Sequence, residues 1–244
     1  AALPIDKRSR VSYNSDANHT IYIVLSILTE RVLSMAPKNK FTKDEMVAAA
    51  LRVVRAKGAD GLTAKTIADE LGTSTQPIFT AFGSMGGIRQ AVYAAAVRVY
   101  DDYTSAGLRE TIPFLGVGTQ YIRFAREEPE LYRLLFLTKS QEFGAMQAMR
   151  HLQALVRPTL ITVYHITEEE ADFYFRNLWL VVHSLSTLIV TGDCPYRDQE
   201  IGQILTGFSL STCKAIKEIP GFAAGTYDRD AVFRALVSRD AAKP

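Results

Sequence analysis

The sequence has few of the residues that build covalent or metal-based sites. It contains 2 cysteines and 4 histidines in 244 residues, too few for a disulfide framework or a structural zinc site. Cys194 and Cys213 are expected to be ordinary reduced residues. His151 and His165 are far apart with Pro158 between them, which gives no metal-ligand spacing. We therefore expect no metal ion and no cofactor.

Long apolar runs and the fingerprints of common enzymes are absent as well. The apolar run 21–28 is too short to cross a bilayer, and no small-residue cleavage site comes after it. The sequence has no Gly-x-Ser-x-Gly motif, phosphate-binding loop or dinucleotide fingerprint. Helix capping explains the carboxylates of 168–170. These absences predict a cytoplasmic protein with no catalytic activity and no membrane partner.

Charge is modest overall but unevenly distributed. The formal net charge is +2, and charged residues make up 22% of the chain, as is usual for a soluble globular protein. Residues 36–100 carry nine lysines and arginines against five acidic residues. A basic segment of this kind is the expected footprint of contact with nucleic-acid phosphates.

That basic segment contains the stretch 63–82, which predicts a helix-turn-helix. Ala68 is small enough for two short helices to cross closely, Gly72 tolerates the positive φ of a tight turn, and Ile78 can point back into the hinge. Ile67 and Leu71 complete a buried stripe on the first helix. The alternative left open by these residues is an ordinary pair of short surface helices.

The ends of the two short helices are also predictable. Thr63 is the expected N-cap of a helix over 64–71, and Ser74 that of a helix over 75–82. With Ser74 as cap, Pro77 falls at the third helical position, where its missing N–H would have no intrahelical partner. The proline then sets where the second helix starts.

The rest of the chain predicts further helices, with no convincing pair of strands. Capping boxes begin at Thr42 and Thr167, and Pro158 should kink or split the helix that contains it. Besides the two short helices, we expect helices after Thr42 up to Gly58, then over 87–109, 112–127, 129–138, 144–164, 168–191, 197–217 and 230–237.

We divide the chain into an N-terminal extension or basic arm (1–40), a helix-turn-helix head of three helices (41–86), a helical regulatory and dimerisation domain (87–221) and a tail (222–244). Residues 1–34 do not fit the sequence pattern of the rest of the chain. Met35, with a basic stretch after it, resembles a natural start of translation. Two interpretations stay open: an extension upstream of the native start, or a regulatory or dimer-swapped helix.

The stretch 42–95 resembles the DNA-binding head of TetR-type (tetracycline-repressor family) regulators. It has the family's order of motifs: a capped helix, Ala-Lys-Gly, Gly-Leu-Thr, Ile-Ala-Asp-Glu-Leu-Gly, and a recognition helix ending in Phe79 and Phe82. In the second half, 121–125, 129–132 and Phe136 resemble the variant with a Trp-His-Gly signature. Trp179, His183 and Ser184 stand in that place here, with serine instead of glycine.

The resemblance implies a homodimer, an all-α fold of about nine helices, a ligand pocket in the second domain and no catalytic activity. It also shows two departures. The family usually has tyrosine where Phe79 stands and lysine where Met85 stands, and both contact DNA phosphates. Phe79 cannot donate a hydrogen bond and Met85 carries no charge, so we expect weaker non-specific affinity or compensation by the basic arm 38–43.

The candidate DNA contacts surround the start of the second short helix. The amide of Gln76 can pair bidentately with adenine, whereas Lys65 and the start of its helix should contact the backbone. Simple solvent exposure is the alternative for both. The full predicted set is Lys40, Lys43, Thr63, Lys65, Thr73, Ser74, Thr75, Gln76, Phe79 and Thr80.

The candidate ligand and dimer residues lie on the apolar helices of the second half. A helix bundle can enclose an apolar cavity with a few polar groups, and Trp179 and His183 share one helix face. Core or dimer-seam packing is the alternative. The predicted ligand set is Tyr121, Phe124, Phe136, Phe175, Trp179 and His183. The predicted dimer interface is Leu178, Val182, Leu185, Leu188, Ile189, Ile204, Leu205 and Phe208.

Together these features predict a dimeric, ligand-responsive transcriptional regulator, a repressor in the first instance. Its partners would be a palindromic double-stranded DNA operator, a second copy of the chain and a small-molecule effector. One alternative is a helical small-molecule binding protein with a vestigial head, which the two departures would fit. A helical enzyme of unrecognised type is the other.

Overall fold

The computed structural model of the chain describes residues 41–138 and 144–240. Within these ranges it contains helices and turns and no strand, which confirms the all-α prediction. The predicted arm 1–40, including Lys40, lies outside the described residues.

The described residues form ten α-helices, compared with about nine predicted. They are α1 (Lys43–Lys57), α2 (Ala64–Leu71), α3 (Gln76–Phe82), α4 (Met85–Gly107), α5 (Pro113–Glu127), α6 (Pro129–Tyr132), α7 (Ala145–Tyr164), α8 (Glu168–Thr191), α9 (Asp198–Glu218) and α10 (Arg229–Asp240). A 3₁₀ turn over Ala59–Gly61 comes after α1, and a π-helical segment over Arg133–Leu137 continues α6.

Several helix ends are set by the capping residues expected from the sequence. The Thr63 hydroxyl accepts from the Thr66 amide at 3.1 Å, and the Thr66 hydroxyl in return accepts from the Thr63 amide at 3.0 Å. Thr167 forms the predicted capping box with Glu170. Gly72 ends α2 in the left-handed conformation at φ 63°, which other residues adopt only with strain.

The start of α3 corrects the prediction by one residue. The helix begins at Gln76, Thr75 stands at the N-cap position without a side-chain hydrogen bond, and Pro77 falls within the first two helical positions rather than at the third. The physical reason lies in the backbone: the first hydrogen bond of the helix runs from the Phe79 amide to the Thr75 carbonyl at 3.2 Å, which places Thr75 rather than Ser74 at the N-cap.

Two further helices differ from their predicted course. The long helix α4 begins at Met85 rather than near Gly87, because the Ser84 hydroxyl accepts from the Gly87 amide at 3.2 Å and caps it. Helix α7 continues through Pro158, so the proline does not split it.

The first four helices enclose an aliphatic core. α1 packs against α2 and α4, and α3 contacts both α2 and α4. The buried side chains of this head are small or branched. They include Met46, Ala49, Ala50, Val53, Val54, Leu62, Ile67, Ala68, Ile78, Ile88 and Val92.

The second domain is built on α8, which packs against α5, α7 and α9, while α5 also lies against α4. α8 is the one described helix that is long and apolar enough to cross a membrane, judged by length and composition. Packing explains its apolar face, because Ala171, Tyr174, Phe175, Leu178 and Trp179 are all buried against neighbouring helices. The core of this domain is rich in aromatic rings.

Candidate DNA-contacting and ligand-binding sites

The close crossing of α2 and α3 positions the candidate reading helix. Ala68 is 2% exposed and Ile78 is 0% exposed, and the amide of Thr73 donates to the Ala68 carbonyl at 2.9 Å. Ile67 is buried as predicted, whereas Leu71 is only half-buried. Because Ile78 points inward, the opposite face of α3 is turned to solvent.

That outer face of α3 carries Gln76, Phe79 and Thr80. Gln76 and Thr80 are exposed, and Phe79 is 41% exposed. The Thr80 hydroxyl donates to the Gln76 carbonyl at 2.9 Å, so its proton is used within the helix. Gln76 is thus the side chain on this face that keeps both an amide donor and an acceptor for a base edge.

The other predicted DNA contacts next to this face differ in how exposed they are. Lys65 and Ser74 are exposed, whereas Thr73 and Thr75 are half-buried. The Thr63 hydroxyl is engaged in capping α2, so it contributes mainly by ordering the helix N-terminus.

Lys43 contacts the Phe82 ring beside the N-terminus of α4, which the sequence analysis did not single out. Its Nζ stands 5.9 Å from the centroid of the Phe82 ring, and the α4 N-terminus, capped by Ser84, comes directly after that ring in the chain. A helix N-terminus beside a lysine favours a phosphate. Ser84, which comes shortly before a helical stretch, was the sequence signal that could have indicated this helix N-terminus.

Part of the basic excess is neutralised within the chain. Arg52 Nε lies 2.6 Å from Glu70 Oε1. Both ends of the Arg55 guanidinium donate to Glu128, each at 2.7 Å, and this hydrogen bonding raises the pKa of Arg55. These two arginines therefore add less to a phosphate-binding surface than their number in the sequence suggested.

Most of the predicted ligand residues meet in one cluster around His183. The hydroxyls of Tyr121 and Tyr132 each lie 3.0 Å from His183 Nδ1, and the Tyr132 hydroxyl also lies 3.0 Å from Thr187 Oγ1. Trp179 stacks on His183 with ring centroids 4.7 Å apart and planes at 7°. The helix spacing of Trp179 and His183 predicted this shared face.

Further rings close the cluster. Phe136 stacks on Tyr121 with centroids 5.7 Å apart, and Phe124 meets Tyr100 edge-on at 5.6 Å. We call Tyr100, Tyr121, Phe124, Tyr132, Phe136, Trp179 and His183 the aromatic cluster. Every described ring contact and hydrogen bond of these residues is to an aromatic or an uncharged polar group.

Burial governs the ionisation of this cluster. Desolvation lowers the pKa of His183, which favours the neutral imidazole. Desolvation also raises the pKa of Tyr132 to about 12 and raises the pKa of Tyr121 well above its ordinary value. The side chains of the cluster are therefore neutral near neutral pH, and burial, together with the adjacent Asp101 carboxylate, raises the pKa of Tyr100.

Phe175 lies apart from the other predicted ligand residues. It lies in a second group of rings, 6.1 Å from Phe114, where Tyr174 donates or accepts a 2.6 Å hydrogen bond with Ser209. Phe175 projects from α8 on the side of α8 that faces these rings, so it serves the core and does not join the aromatic cluster.

The predicted dimer residues fall into two groups. Leu178, Val182, Leu185 and Leu205 are already buried by other helices of the single chain, and their place in a dimer interface stays a prediction. Leu188, Ile189 and Ile204 are half-buried, and Phe208 is 50% exposed. Leu180 and Leu210, which were not predicted, are also exposed apolar residues of α8 and α9.

Open grooves lie away from the aromatic cluster. One of about 570 Å³ lies between α5 and α9, with Ile122, Ile201 and Leu205 in its lining. Another of about 470 Å³ lies between α1 and α4 and includes Leu51 and Asp101. Among the described residues, no group of three or more His, Cys, Asp or Glu side chains could hold a metal ion.

Two known protein families match the chain, one over the head and one over the second domain. The family described as "Bacterial regulatory proteins, tetR family" matches residues 46–92. The family described as "Tetracyclin repressor-like, C-terminal domain" matches residues 114–205. The chain belongs to the TetR family.

Its relatives in the TetR family are distant. The HTH-type transcriptional repressor DrrR1 of Streptomyces coeruleorubidus is 28% identical over 144 residues, which are 55% of this chain and 50% of the relative. The chain therefore spans half the length of this relative.

Solved structures are similar at lower identity. A TetR-family member from Streptomyces coelicolor A3 is 19% identical, with 70% of this chain and 98% of that one covered and a TM-score of 0.45. The multidrug binding protein EbrR complexed with imidazole is 19% identical, with coverage of 72% and 94% and a TM-score of 0.48. A TetR variant from Acinetobacter baumannii AYE in complex with minocycline is 16% identical, with coverage of 73% and 97% and a TM-score of 0.46.

Within this TetR-family chain, the sequence analysis missed four residues of the second-domain site. Tyr100 and Tyr132 belong to the aromatic cluster, Thr187 bonds to Tyr132, and Ser186 is fully buried on the same helix. Tyr100 was the hardest to find, because it lies on α4, far along the chain from Trp179 and His183. Ser186 and Thr187 come after His183 within about one helical turn, and that proximity was a usable signal.

Proposed function

We propose that this TetR-family protein is a homodimeric, ligand-responsive transcriptional repressor without catalytic activity that acts in the cytoplasm. Its two α3 helices would read a palindromic operator, and a small molecule bound in the second domain would release it. The observation that carries the proposal is the α2–α3 crossing, in which buried Ala68 and Ile78 leave Gln76 and Phe79 on one outward face.

Base recognition would rest on that face of α3. The Gln76 amide can pair with N6 and N7 of adenine, and the Phe79 ring can contact a thymine methyl group. Lys43 and Lys65 would bind phosphates, helped by the N-termini of α4 and α2. On this assignment the hydroxyl that Phe79 lacks is replaced by apolar contact with a base.

Dimerisation would use the outer surfaces of α8 and α9. Phe208 and Leu180 are each 50% exposed, and Leu188, Ile189 and Ile204 keep part of their surface free. Burial of such a patch against its copy is the usual way to remove contiguous apolar surface from water. A two-fold axis there would place the two α3 helices on successive half-sites.

Signal transfer would run through the segment 128–137. Its Tyr132 hydrogen-bonds to His183 in the aromatic cluster, and its Glu128 holds Arg55 of α1 by two hydrogen bonds. A ligand that displaces Tyr132 therefore acts on a segment attached to the head. Release of DNA requires that the ligand bind the DNA-incompetent state more tightly than the competent one.

A helical small-molecule binding protein with a vestigial head is the second candidate. Phe79 and Met85 favour it, because neither can form the phosphate contact that the family usually has at its position. It differs from the repressor in one respect: it would bind no discrete DNA site.

Selection of genomic DNA fragments by the purified full chain at moderate salt separates the two candidates. We expect a shared palindrome among the bound fragments, and protection of that palindrome in a footprint. Salt-sensitive binding without a common motif would contradict the repressor and support the vestigial head, since phosphate contact alone carries no sequence information.

A further inference from the structure

Asp101 of α4 has a buried carboxylate oxygen that faces a histidine of another helix. Its Oδ1 atom is buried and has no hydrogen-bond partner among the described residues. An ion-pair distance of 3.2 Å separates this oxygen from His151 Nε2 of α7. A buried carboxylate oxygen is costly unless donors or an opposite charge replace its lost hydration. His151 therefore decides how well Asp101 is compensated, and an imidazole is charged only when it is protonated.

The pair joins a helix shared by both regions to a helix of the second domain. At the start of α4, Ile88 and Val92 are buried in the core of the head, and further along Tyr100 is buried among the rings. His151 belongs to α7, which packs against α5 and α8. A force on Asp101 therefore acts on a helix whose first turns belong to the head.

The imidazole is the group near this contact whose charge changes around neutral pH. The other ionisable groups beside it are Tyr100 and Asp102 of α4, Asp44 of α1 and Arg98 of α4 in the groove that Asp101 also lines, and Arg150 of α7. Burial raises the pKa of Tyr100, so its hydroxyl stays neutral. Aspartate and arginine side chains at their ordinary pKa values keep their charge between about pH 6 and 8, whereas histidine does not.

We propose that protonation of His151 fastens α4 to α7 through Asp101 and thereby strengthens operator binding below neutral pH. The inference rests on the proposed repressor function and adds a regulation by pH to it. It takes the arrangement described above, in which Gln76 and Phe79 face outward, as the DNA-binding one. When His151 loses its proton, the buried oxygen keeps a weaker partner, and α4 is held less firmly.

The pair has a limited pH window, because both partners must be charged. Ordinary aspartate and histidine are charged together between roughly pH 4 and 6.5. Burial raises the pKa of the Asp101 carboxyl, while His151 opposes that rise and Asp102 adds to it. Below its raised pKa Asp101 takes up a proton and the ion pair is lost, so the lower limit of the window moves up. The contrast to measure is therefore about pH 6 against about pH 8.

The exposure of the two side chains sets the size of the effect. The His151 side chain is 53% exposed and that of Asp101 is 35% exposed, so a change in external pH reaches the pair directly. Water also screens the attraction, and pairs of this kind change an equilibrium constant by about two- to fivefold. The pair should tune DNA binding and should not act as an all-or-none switch.

A double-mutant cycle on the purified full chain tests the pair without DNA. Asp101→Asn, His151→Gln and the double variant are unfolded in urea at about pH 6 and about pH 8, at fixed protein concentration. We expect the two changes to be coupled by about two- to fivefold in the unfolding equilibrium constant at the lower pH. At the higher pH the coupling should vanish.

Two further variants assign the coupling to charge at this position. Asp102→Asn removes the same charge from the next residue of α4, which is exposed, and it should show no coupling with His151→Gln at either pH. His151→Lys keeps a positive charge at both pH values. Its coupling with Asp101→Asn should therefore persist at the higher pH.

The regulation itself is measured on the palindrome recovered by fragment selection. In fluorescence anisotropy, Asp101→Asn and His151→Gln should each weaken operator binding by about two- to fivefold at the lower pH and leave the Kd unchanged at the higher one. Asp102→Asn should match the parent chain at both. Because each comparison is made at one pH, titration of other groups cancels.

Three results would overturn the inference: no coupling between Asp101 and His151, a coupling of equal size at both pH values, or a coupling in unfolding that leaves the operator Kd of the variants unchanged. A chain that selects no palindrome would instead refute the repressor. The unfolding cycle needs no DNA, so it tells these two failures apart.

Discussion

The head and the second domain of this protein have cores of different chemistry. The head is filled by aliphatic side chains such as Ile67, Val54 and Ile78, and the unpartnered buried polar atoms of the described chain all lie in α4 and α8. The second domain is filled by rings, several of them with hydroxyl or N–H groups. A close-packed aliphatic core holds one arrangement. A core with unpaired donors is suited to admit a partner.

An ion pair with two hydrogen bonds joins the two regions. Arg55 of α1 donates twice to Glu128. Glu130 also lies close to the end of α1, because a Cβ atom added at Gly58 would stand 3.0 Å from Glu130 Oε2. The head should respond to substitutions in its core by losing DNA binding altogether, whereas the second domain should tolerate changes in its unpaired polar groups.

The largest expected effect is from Ala68→Leu, which tests whether the head depends on one close crossing. Overpacking a 2% exposed position costs about 1–3 kcal/mol and shifts the backbone. α3 would lose its position, so operator binding should be abolished in fluorescence anisotropy while the dimer persists in size-exclusion chromatography. Ala48→Leu, at an exposed position of α1, is the matched control. Unchanged operator binding by Ala68→Leu would refute the helix-turn-helix geometry.

Gln76→Ala tests whether Gln76 reads a base, in contrast to residues of the head that bind the DNA backbone. Loss of a bidentate base contact should cost about 1–3 kcal/mol on the operator and relax one base position. Lys65→Ala, by comparison, should weaken binding about equally for all sequences and lower its salt dependence. Both are read by anisotropy titrations against the operator and scrambled DNA. An equal loss on both DNAs for Gln76→Ala would show that another residue reads the base.

Exchanging the charges of Arg55 and Glu128 tests the connection between the two regions. Glu128→Arg alone places two cations together and should lower the free energy of unfolding by about 1–2 kcal/mol. The double variant Arg55→Glu/Glu128→Arg should recover much of that loss in urea denaturation at fixed protein concentration. Additive losses in the double variant would mean that the pair does not couple the regions.

Two buried tyrosine hydroxyls, one with a hydrogen-bond partner and one without, should differ in their effect on stability. Tyr174 bonds to Ser209 at 2.6 Å, so Tyr174→Phe should lower the free energy of unfolding by about 1 kcal/mol. Tyr100 has no described partner for its hydroxyl, so Tyr100→Phe should leave stability unchanged or raise it. Thermal unfolding without ligand measures both. A loss for Tyr100→Phe equal to that for Tyr174→Phe would remove the distinction between the cores.

The smallest effect is a pH dependence that only the second domain should contribute. Burial lowers the pKa of His183 in the folded chain below its ordinary value of about 6.5. Below that pH the unfolded chain takes up a proton that the folded chain resists, so the free energy of unfolding falls as pH drops. His183→Asn should weaken this slope between pH 7 and 5 in urea denaturation. An identical slope in the variant would show that other groups produce it.

Much of the head could be predicted because its signals are local. Thr63, Gly72 and Ala68 each act within a few residues of their own position, and each does what the sequence indicated. Ser74 is not the N-cap for an equally local reason, because the first backbone hydrogen bond of α3 is accepted by the carbonyl of Thr75. Local rules of capping and backbone sterics apply regardless of what packs against them.

The second domain was less predictable because its partners come from distant helices. Trp179 and His183 share a face by spacing alone, but Tyr100, Tyr121 and Tyr132 reach them from three other helices. Leu178 and Leu205 looked like a dimer seam because apolar residues on a long helix do not state which neighbour covers them. The fold decided that helices of the same chain cover these two residues.

The sequence alone thus determined the helical class, most helix boundaries and the outward face of α3, because periodicity, caps and turn residues are encoded within a few positions. The tertiary structure decided which rings surround His183, which buried donors lack a partner and that Arg55 belongs to Glu128 rather than to DNA. Those outcomes depend on contacts between residues far apart in the chain, and such contacts form only when the whole domain packs.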